Sequence, residues 1–158
     1  MAKDQKHADP EYLARSAALR LLARREHSRY ELTLKLRQRH LETDVIESVL
    51  DDYEREGWLD DDRFADIYAR QRIEAGYGPL RILAELQQRG VKEVPVCLSL
   101  VTEDEWCQKA ARAREKRFGL GRLDGDLPEK ARQARFLARR GFSASHSEYA
   151  LVSLPDAF

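Results

Sequence analysis

Cysteine is nearly absent from this chain. Its 158 residues include two, Cys97 and Cys107, too few for a disulfide framework and too far apart for a C-x-x-C metal or redox motif. Both are expected as reduced side chains in or near apolar packing. No stretch approaches the roughly twenty apolar residues that a membrane-spanning helix needs, and the polar run from Met1 to Asp9 does not read as a secretory signal. A cytoplasmic location is expected. Net charge is missing too: 28 basic residues balance 28 acidic ones, which argues against a protein that coats bare nucleic acid by electrostatics alone. Sustained period-two alternation is lacking, so no strand is required.

Catalytic signatures are equally scarce. His7, His27, His40 and His146 are widely spaced, and none forms the helical pair with a Glu that a zinc site uses. No Gly-x-x-x-x-Gly-Lys phosphate loop occurs, and Gly119 to Arg122 lacks the preceding strand of a dinucleotide loop. Asp60 to Asp62 suggest a magnesium site less readily than a helix cap. No enzyme, cofactor or metal is expected.

What the sequence does have is repetition. Leu36 to His40 reads Leu-Arg-Gln-Arg-His, Leu86 to Gly90 reads Leu-Gln-Gln-Arg-Gly, and Leu137 to Gly141 reads Leu-Ala-Arg-Arg-Gly. The leucines lie about fifty residues apart, each phrase closing an amphipathic helix, so one supersecondary unit is used three times. Charged residues, 35% of the chain, suit long solvated helix faces.

Local signals divide each unit into helices. Asp9 with Pro10 opens the first helix, which runs through Leu13, Ala17, Leu21 and Leu22 to about Arg25. Ser28 to Glu31 is a capping box for a second helix carrying Leu32 and Leu36. Thr43 and Asp44 open a third, with Val45, Val49, Leu50 or Tyr53 inward, and Gly57 ends it. The second unit starts at Asp60 to Asp62, buries Phe64, Ile67 and Tyr68, with Ile73 a further candidate for the same stripe, and stops at Gly76. Gly78 and Pro79 start a helix carrying Ile82, Leu83 and Leu86, Gly90 ends it, and Pro95 begins a short one. Thr102 to Glu105 caps the third unit, whose first helix carries Ala110, Ala113 and Phe118. Pro128 restarts helix, Gly141 stops it, and Ser145 to Glu148 cap a last short helix. The expected fold is all-α: an elongated tandem array of three three-helix, helix-turn-helix-like repeats with about nine helices. A polar tail covers 1–9 and the repeats cover 10–59, 60–101 and 102–158.

Several of these stretches carry a resemblance. Leu22 to Leu32, Gly57 to Ala65, Gly78 to Ile82 with Glu85 to Gly90, and Lys130 to Phe142 together resemble the RecX family of bacterial regulatory proteins, in that family's order and over about residues 10–153. The resemblance implies a modulator of the RecA recombinase, built from tandem three-helix repeats. It also implies binding along the groove of RecA filaments on DNA, with ATP hydrolysis, strand exchange and co-protease activity suppressed. Two positions depart from the family pattern. His40 stands where a repeat usually has Gly, so that turn must hold a left-handed His or close differently. Ser145, His146 and Ser147 fall where the last helix is generally more apolar, so an irregular end is expected over 143–158.

Charge is strongly segregated. Arg15 to Arg39 hold eight basic residues against two acids, Glu42 to Asp62 hold ten acids against Arg55, and the third unit is basic again. Single charges on helix faces contribute little, but like-charged clusters persist more readily when a partner neutralises them. The candidate contacts are Arg24, Arg25 and Arg29 in the first unit and Arg132, Arg135, Arg139 and Arg140 on the last basic helix, whose guanidinium forks can hold carboxylates or phosphate oxygens. For Arg89, Arg139 and Arg140 the competing role is stabilisation of a helix C-terminus. Most aromatics fall on the apolar stripe, so Trp58 and Phe64 are expected to pack between repeats rather than stack on bases. Tyr77, between Gly76 and Gly78, is expected as an exposed contact.

The expected partners are therefore RecA, free or as a filament, and single- or double-stranded DNA. The lack of a long heptad seam points to a monomer. Two alternatives stay open. A tandem helix-turn-helix DNA-binding protein would prefer particular duplex sequences, and a helical-repeat scaffold would bind some other protein without DNA or recombinase.

Overall fold

The computed structural model describes residues 9–153. The expected tail before Asp9 and the end beyond Ser153 lie outside the described residues. Within them there are nine helices and no strand: α1 Pro10–Arg24, α2 Arg29–Arg37, α3 Thr43–Arg55, α4 Asp61–Glu74, α5 Pro79–Gln88, α6 Val96–Ser99, α7 Glu103–Phe118, α8 Leu127–Arg140 and α9 Ala144–Val152. None is long and apolar enough to cross a membrane.

The helix starts follow local chemistry. Asp9 accepts from the Glu11 amide ahead of Pro10, and Ser28 with Glu31 and Thr102 with Glu105 form both bonds of a capping box, satisfying amides that a helix end leaves unpaired. The cap of α9 sits earlier than expected. Ser143 accepts from the His146 amide, and the His146 ring reaches back to the Ser143 amide, so His146 takes the place a Glu usually fills. The end of the third repeat is accordingly regular helix up to Val152, not irregular.

The chain divides into two compact units: the described residues up to Ile67 joined by Leu86–Lys92, and Tyr68–Glu85 joined by the described residues from Glu93 onward. In the first, Ala14, Ala17, Ala18 and Leu21 of α1 meet Leu32 and Leu36 of α2 and Ile46, Val49, Leu50 and Tyr53 of α3. The alanines, rather than Leu13, form the inner face of α1, because small side chains let helices approach closely. Leu13 stays 39% exposed. Each fully buried Leu or Ile contributes about 1.5–3 kcal/mol. Phe64 is buried as expected, but Ile67 and Trp58 are not. Trp58 is 47% exposed and lies against Tyr53 with ring centroids 5.3 Å apart.

In the second unit Trp106, Ala110, Ala111, Leu137, Phe142 and Leu151 are buried. Trp106 meets Phe142 edge-on at 6.5 Å, a favoured arrangement for aromatic rings. Arg114, one of the basic residues of the third repeat, is fully buried. Its Nε donates to Gln133 Oε1 at 2.7 Å, its Nη1 to the carbonyls of Ala150 and Ser153, and its Nη2 to that of Gly121. Burial lowers its pKa. The acceptors it reaches among the described residues are one side-chain amide oxygen and three backbone carbonyls, with no carboxylate.

The repeated phrase has a structural meaning in each unit. In the first, Ser28 Oγ donates to the Arg89 carbonyl at 2.7 Å, and a Cβ on Gly90 would lie 2.5 Å from that of Tyr30. In the second, the Gly78 and Leu80 amides donate to the carbonyls of Arg140 and Gly141 at 2.7 and 3.0 Å. The start of one helix thus docks on the glycine turn that ends another. At Gly141 free amides meet free carbonyls, and at Gly90 the Ser28 hydroxyl meets one, so each junction satisfies carbonyls that a helix end leaves unpaired.

Candidate anion-binding groove

The arginines proposed from sequence have different fates. Arg29 is held inside its own unit, 2.8 Å from Asp51 and 3.0 Å from Glu54, and its amide donates to Asp61 Oδ1 at 2.7 Å. Burial opposes its charge, but these carboxylates outweigh it and raise its pKa. Asp61 therefore caps α2 while Asp60 caps its own helix by accepting from the Arg63 amide. Burial pushes the Asp61 carboxyl up. Arg25 pairs with Glu31; burial would raise the Glu31 pKa, yet Arg25 and the Ser28 amide lower it overall. Arg24 is exposed and makes no ion pair among the described residues.

In the second unit, Arg132 forks onto Glu129 and sits 5.0 Å from the Phe118 ring. Arg135 and Arg139 are exposed on α8. The Arg139 carbonyl accepts from Arg81 Nη1 at 3.0 Å.

Tyr77 corrects the sequence reading. It is half-buried, and the guanidiniums of Arg72, Arg81 and Arg140 lie 3.8, 4.5 and 4.7 Å from its ring. Arg72 and Arg81 also bond Glu85; burial raises that carboxyl, but Arg72 outweighs it and the net shift is downward. Flanking glycines do not leave the ring open, because three cations cover it. Arg140 then reaches further, 5.1 Å from the Phe136 ring and 3.4 Å from the Ala75 carbonyl.

Beyond Arg140 lies a groove of about 510 Å³. Its floor is apolar, from Ile73, Ala113 and Phe136, and its sides carry Lys109, Arg112, Lys116, Arg117 and Arg140 against the single carboxylate Glu74. Lys109, Arg112 and Lys116 recur at helical spacing on one side of that helix, away from the side that buries Arg114, while Arg117 lies nearer that side. Among the described residues Lys109, Arg112 and Lys116 have no carboxylate partner, whereas Arg117 leans on the Phe118 and Phe136 rings. A row of unneutralised cations over an apolar floor suits an anion with an apolar part. Of the candidates named from sequence, only Arg140 lines it. For the others the sequence signal is the spacing of 109, 112 and 116, whose steps of three and four place them on one helix side.

The chain resembles known proteins over most of its length. Models of the RecX family's first, second and third three-helix domains match residues 14–52, 60–94 and 103–151. A regulatory protein RecX of Halorhodospira halophila is 48% identical over 145 residues, 90% of this chain and 88% of that protein. One from Pseudomonas fluorescens is 43% identical, covering 82% of this chain and 83% of its own length. The crystal structure of RecX from Lactobacillus salivarius superposes with a TM-score of 0.74 at 21% identity, over 91% of this chain and 96% of that one. At that identity it speaks to the fold alone. With three domain models in order and relatives above 40% identity, this chain belongs to the RecX family of regulatory proteins.

Proposed function

We propose that this protein binds the RecA recombinase, free or as a filament on DNA, in the cytoplasm. There it restrains ATP hydrolysis, strand exchange and co-protease activity, by bridging the filament groove or capping the filament end. Family membership supports the regulatory role. The observation that carries the partner reading is the α7 row of Lys109, Arg112 and Lys116 above an apolar floor. A protein filament wrapped on DNA presents carboxylates and phosphates side by side, and either neutralises such a row. The chain offers no phosphate loop of its own, so an effect on ATP hydrolysis is exerted at the partner's site.

The test is steady-state ATP hydrolysis by RecA on single-stranded DNA, with this protein titrated well below the recombinase concentration. Inhibition is expected, and its loss in the combined variant Lys109→Glu, Arg112→Glu and Lys116→Glu, with helical circular dichroism unchanged, places the contact on α7. The same reversal at Arg132, Arg135 and Arg139 tests the outer arginines; retained inhibition removes them from the interface. No inhibition by the unaltered protein, together with sequence-selective duplex binding, overturns the reading.

A further inference from the structure

We propose that the α7 groove is also a binding site for a free nucleoside triphosphate, its phosphates along Lys109, Arg112 and Lys116 and its base against Ile73, Ala113 and Phe136. The proposal rests on the reading above in sharing the α7 cations, and it gives that site a competitor.

Size comes first. A volume of about 510 Å³ falls in the range of roughly 300–1,000 Å³ typical of small-molecule sites, and is generous for a lone phosphate. Charge narrows the choice. Five cations against Glu74 leave four positive charges in the lining, and a triphosphate, whose terminal group titrates near pH 6 like other phosphate monoesters, carries about four negative ones at neutral pH. Length agrees, since Lys109 to Arg117 spans about 12 Å of helix rise.

The apolar floor is what a bare polyanion would not need. Ile73, Ala113 and Phe136 give a flat base apolar side chains to lie against, with the Phe136 ring shared with the Arg117 and Arg140 guanidiniums, and the Glu74 carboxylate in the lining can accept from an exocyclic amine. An amino-bearing base is therefore favoured over uracil. Arg140 is already oriented for the site: the Ala75 carbonyl, the Tyr77 ring and the Phe136 ring hold it, so little ordering cost remains when it meets a phosphate.

Isothermal titration calorimetry on the isolated protein, without recombinase, separates this proposal from the regulatory one. ATP, UTP, inorganic tripolyphosphate and a ten-residue deoxythymidine oligonucleotide are titrated at one ionic strength. Saturable one-to-one binding of ATP is expected, severalfold tighter than UTP or tripolyphosphate and weakened at least tenfold by R112E with K116E, both exposed positions. Ala113→Leu should fill the floor and remove ATP binding while sparing the oligonucleotide. Tripolyphosphate binding as tightly as ATP would reduce the site to bare charge. Binding of the oligonucleotide alone, or of nothing up to millimolar concentration, would overturn the proposal whatever the recombinase assay shows.

Discussion

Arg81 is seated on the α-carbon of Gly141. A Cβ built on that glycine would lie 2.6 Å from the Arg81 amide nitrogen and against the Arg81 Cβ, and Gly141 also holds φ +98°. Both the space and the backbone therefore demand glycine. Gly141→Ala is expected to cost roughly 3 kcal/mol, from about 1–2 kcal/mol of left-handed strain and about 1–3 kcal/mol of overpacking. Urea unfolding should show a lower midpoint at unchanged slope; a loss below about 1 kcal/mol would mean that the two helix ends part easily.

His40 occupies the corresponding turn after α2 and holds φ 63°, yet it is exposed. Gly90 and Gly141, at this place in the other two phrases, answer both a positive φ and a close neighbour, and at His40 only the dihedral remains. His40→Gly should relieve about 1–2 kcal/mol of strain and lose about 0.5–1 kcal/mol to the more flexible unfolded chain, a net gain under about 1 kcal/mol. A clear loss of stability in urea would show that the imidazole makes a contact of its own.

These two turns also mark how far the sequence can be read. The leucine-to-glycine phrase was visible, and so were the capping boxes at Ser28 and Thr102, because a cap and its helix are neighbours in sequence. What sits on the turn was not visible, since Tyr30 and Gly90, or Arg81 and Gly141, are brought together only by packing. Asp61 looked like a cap for its own helix and serves α2 instead. Tyr77 looked open and is covered by guanidiniums from three places along the chain. Arg114 was legible in part: it follows Trp106 and Ala110 at steps of four on the apolar stripe, and residue type alone hid it among the solvated cations.

His27 should make the first unit sensitive to acid. It is 1% exposed, with Nδ1 3.0 Å from the Arg25 carbonyl and Nε2 2.9 Å from Lys35 Nζ. Both contacts suit a neutral ring that donates from Nδ1 and accepts at Nε2. Burial lowers its pKa, with Arg25 and Lys35 adding to the effect despite the carbonyl. The unfolded chain then takes up a proton near pH 6.5 while the folded one does not, so stability is full above about pH 6.5 and declines as pH falls from there through the lowered value. His27→Gln, which can still accept from Lys35, should flatten urea midpoints between pH 7 and 5. An unchanged slope would assign the acid sensitivity elsewhere.

Arg29 and Arg24 should separate by readout. Arg29 joins Asp51, Glu54 and Asp61, so Arg29→Ala is expected to lower stability by about 1 kcal/mol, leaving the proposed inhibition of RecA intact wherever the chain stays folded. Arg24→Glu should leave the urea midpoint within about 0.5 kcal/mol. If it nevertheless weakens inhibition, Arg24 stands at the partner surface; if Arg29→Ala weakens inhibition without loss of stability, the internal role assigned to Arg29 is wrong.

Arg114 is where the third set of helices is tied together. Its guanidinium gathers Gln133 on α8, the Ala150 carbonyl on α9, Ser153 just beyond it and Gly121 in the loop after α7. Removing it strands several buried acceptors at once, each costing about 1–3 kcal/mol when unsatisfied. Arg114→Met, close in length but unable to donate, is expected to cost at least about 3 kcal/mol. Because the carbonyls of Ala150 and Ser153 lose their donor, the damage should concentrate at α9, and amide hydrogen exchange should quicken there before it does in α1 to α3. Arg114→Lys restores the charge but not the fork, and should recover less than half of the loss. Full recovery by lysine would make charge the important property, which the absence of a carboxylate around this side chain among the described residues argues against.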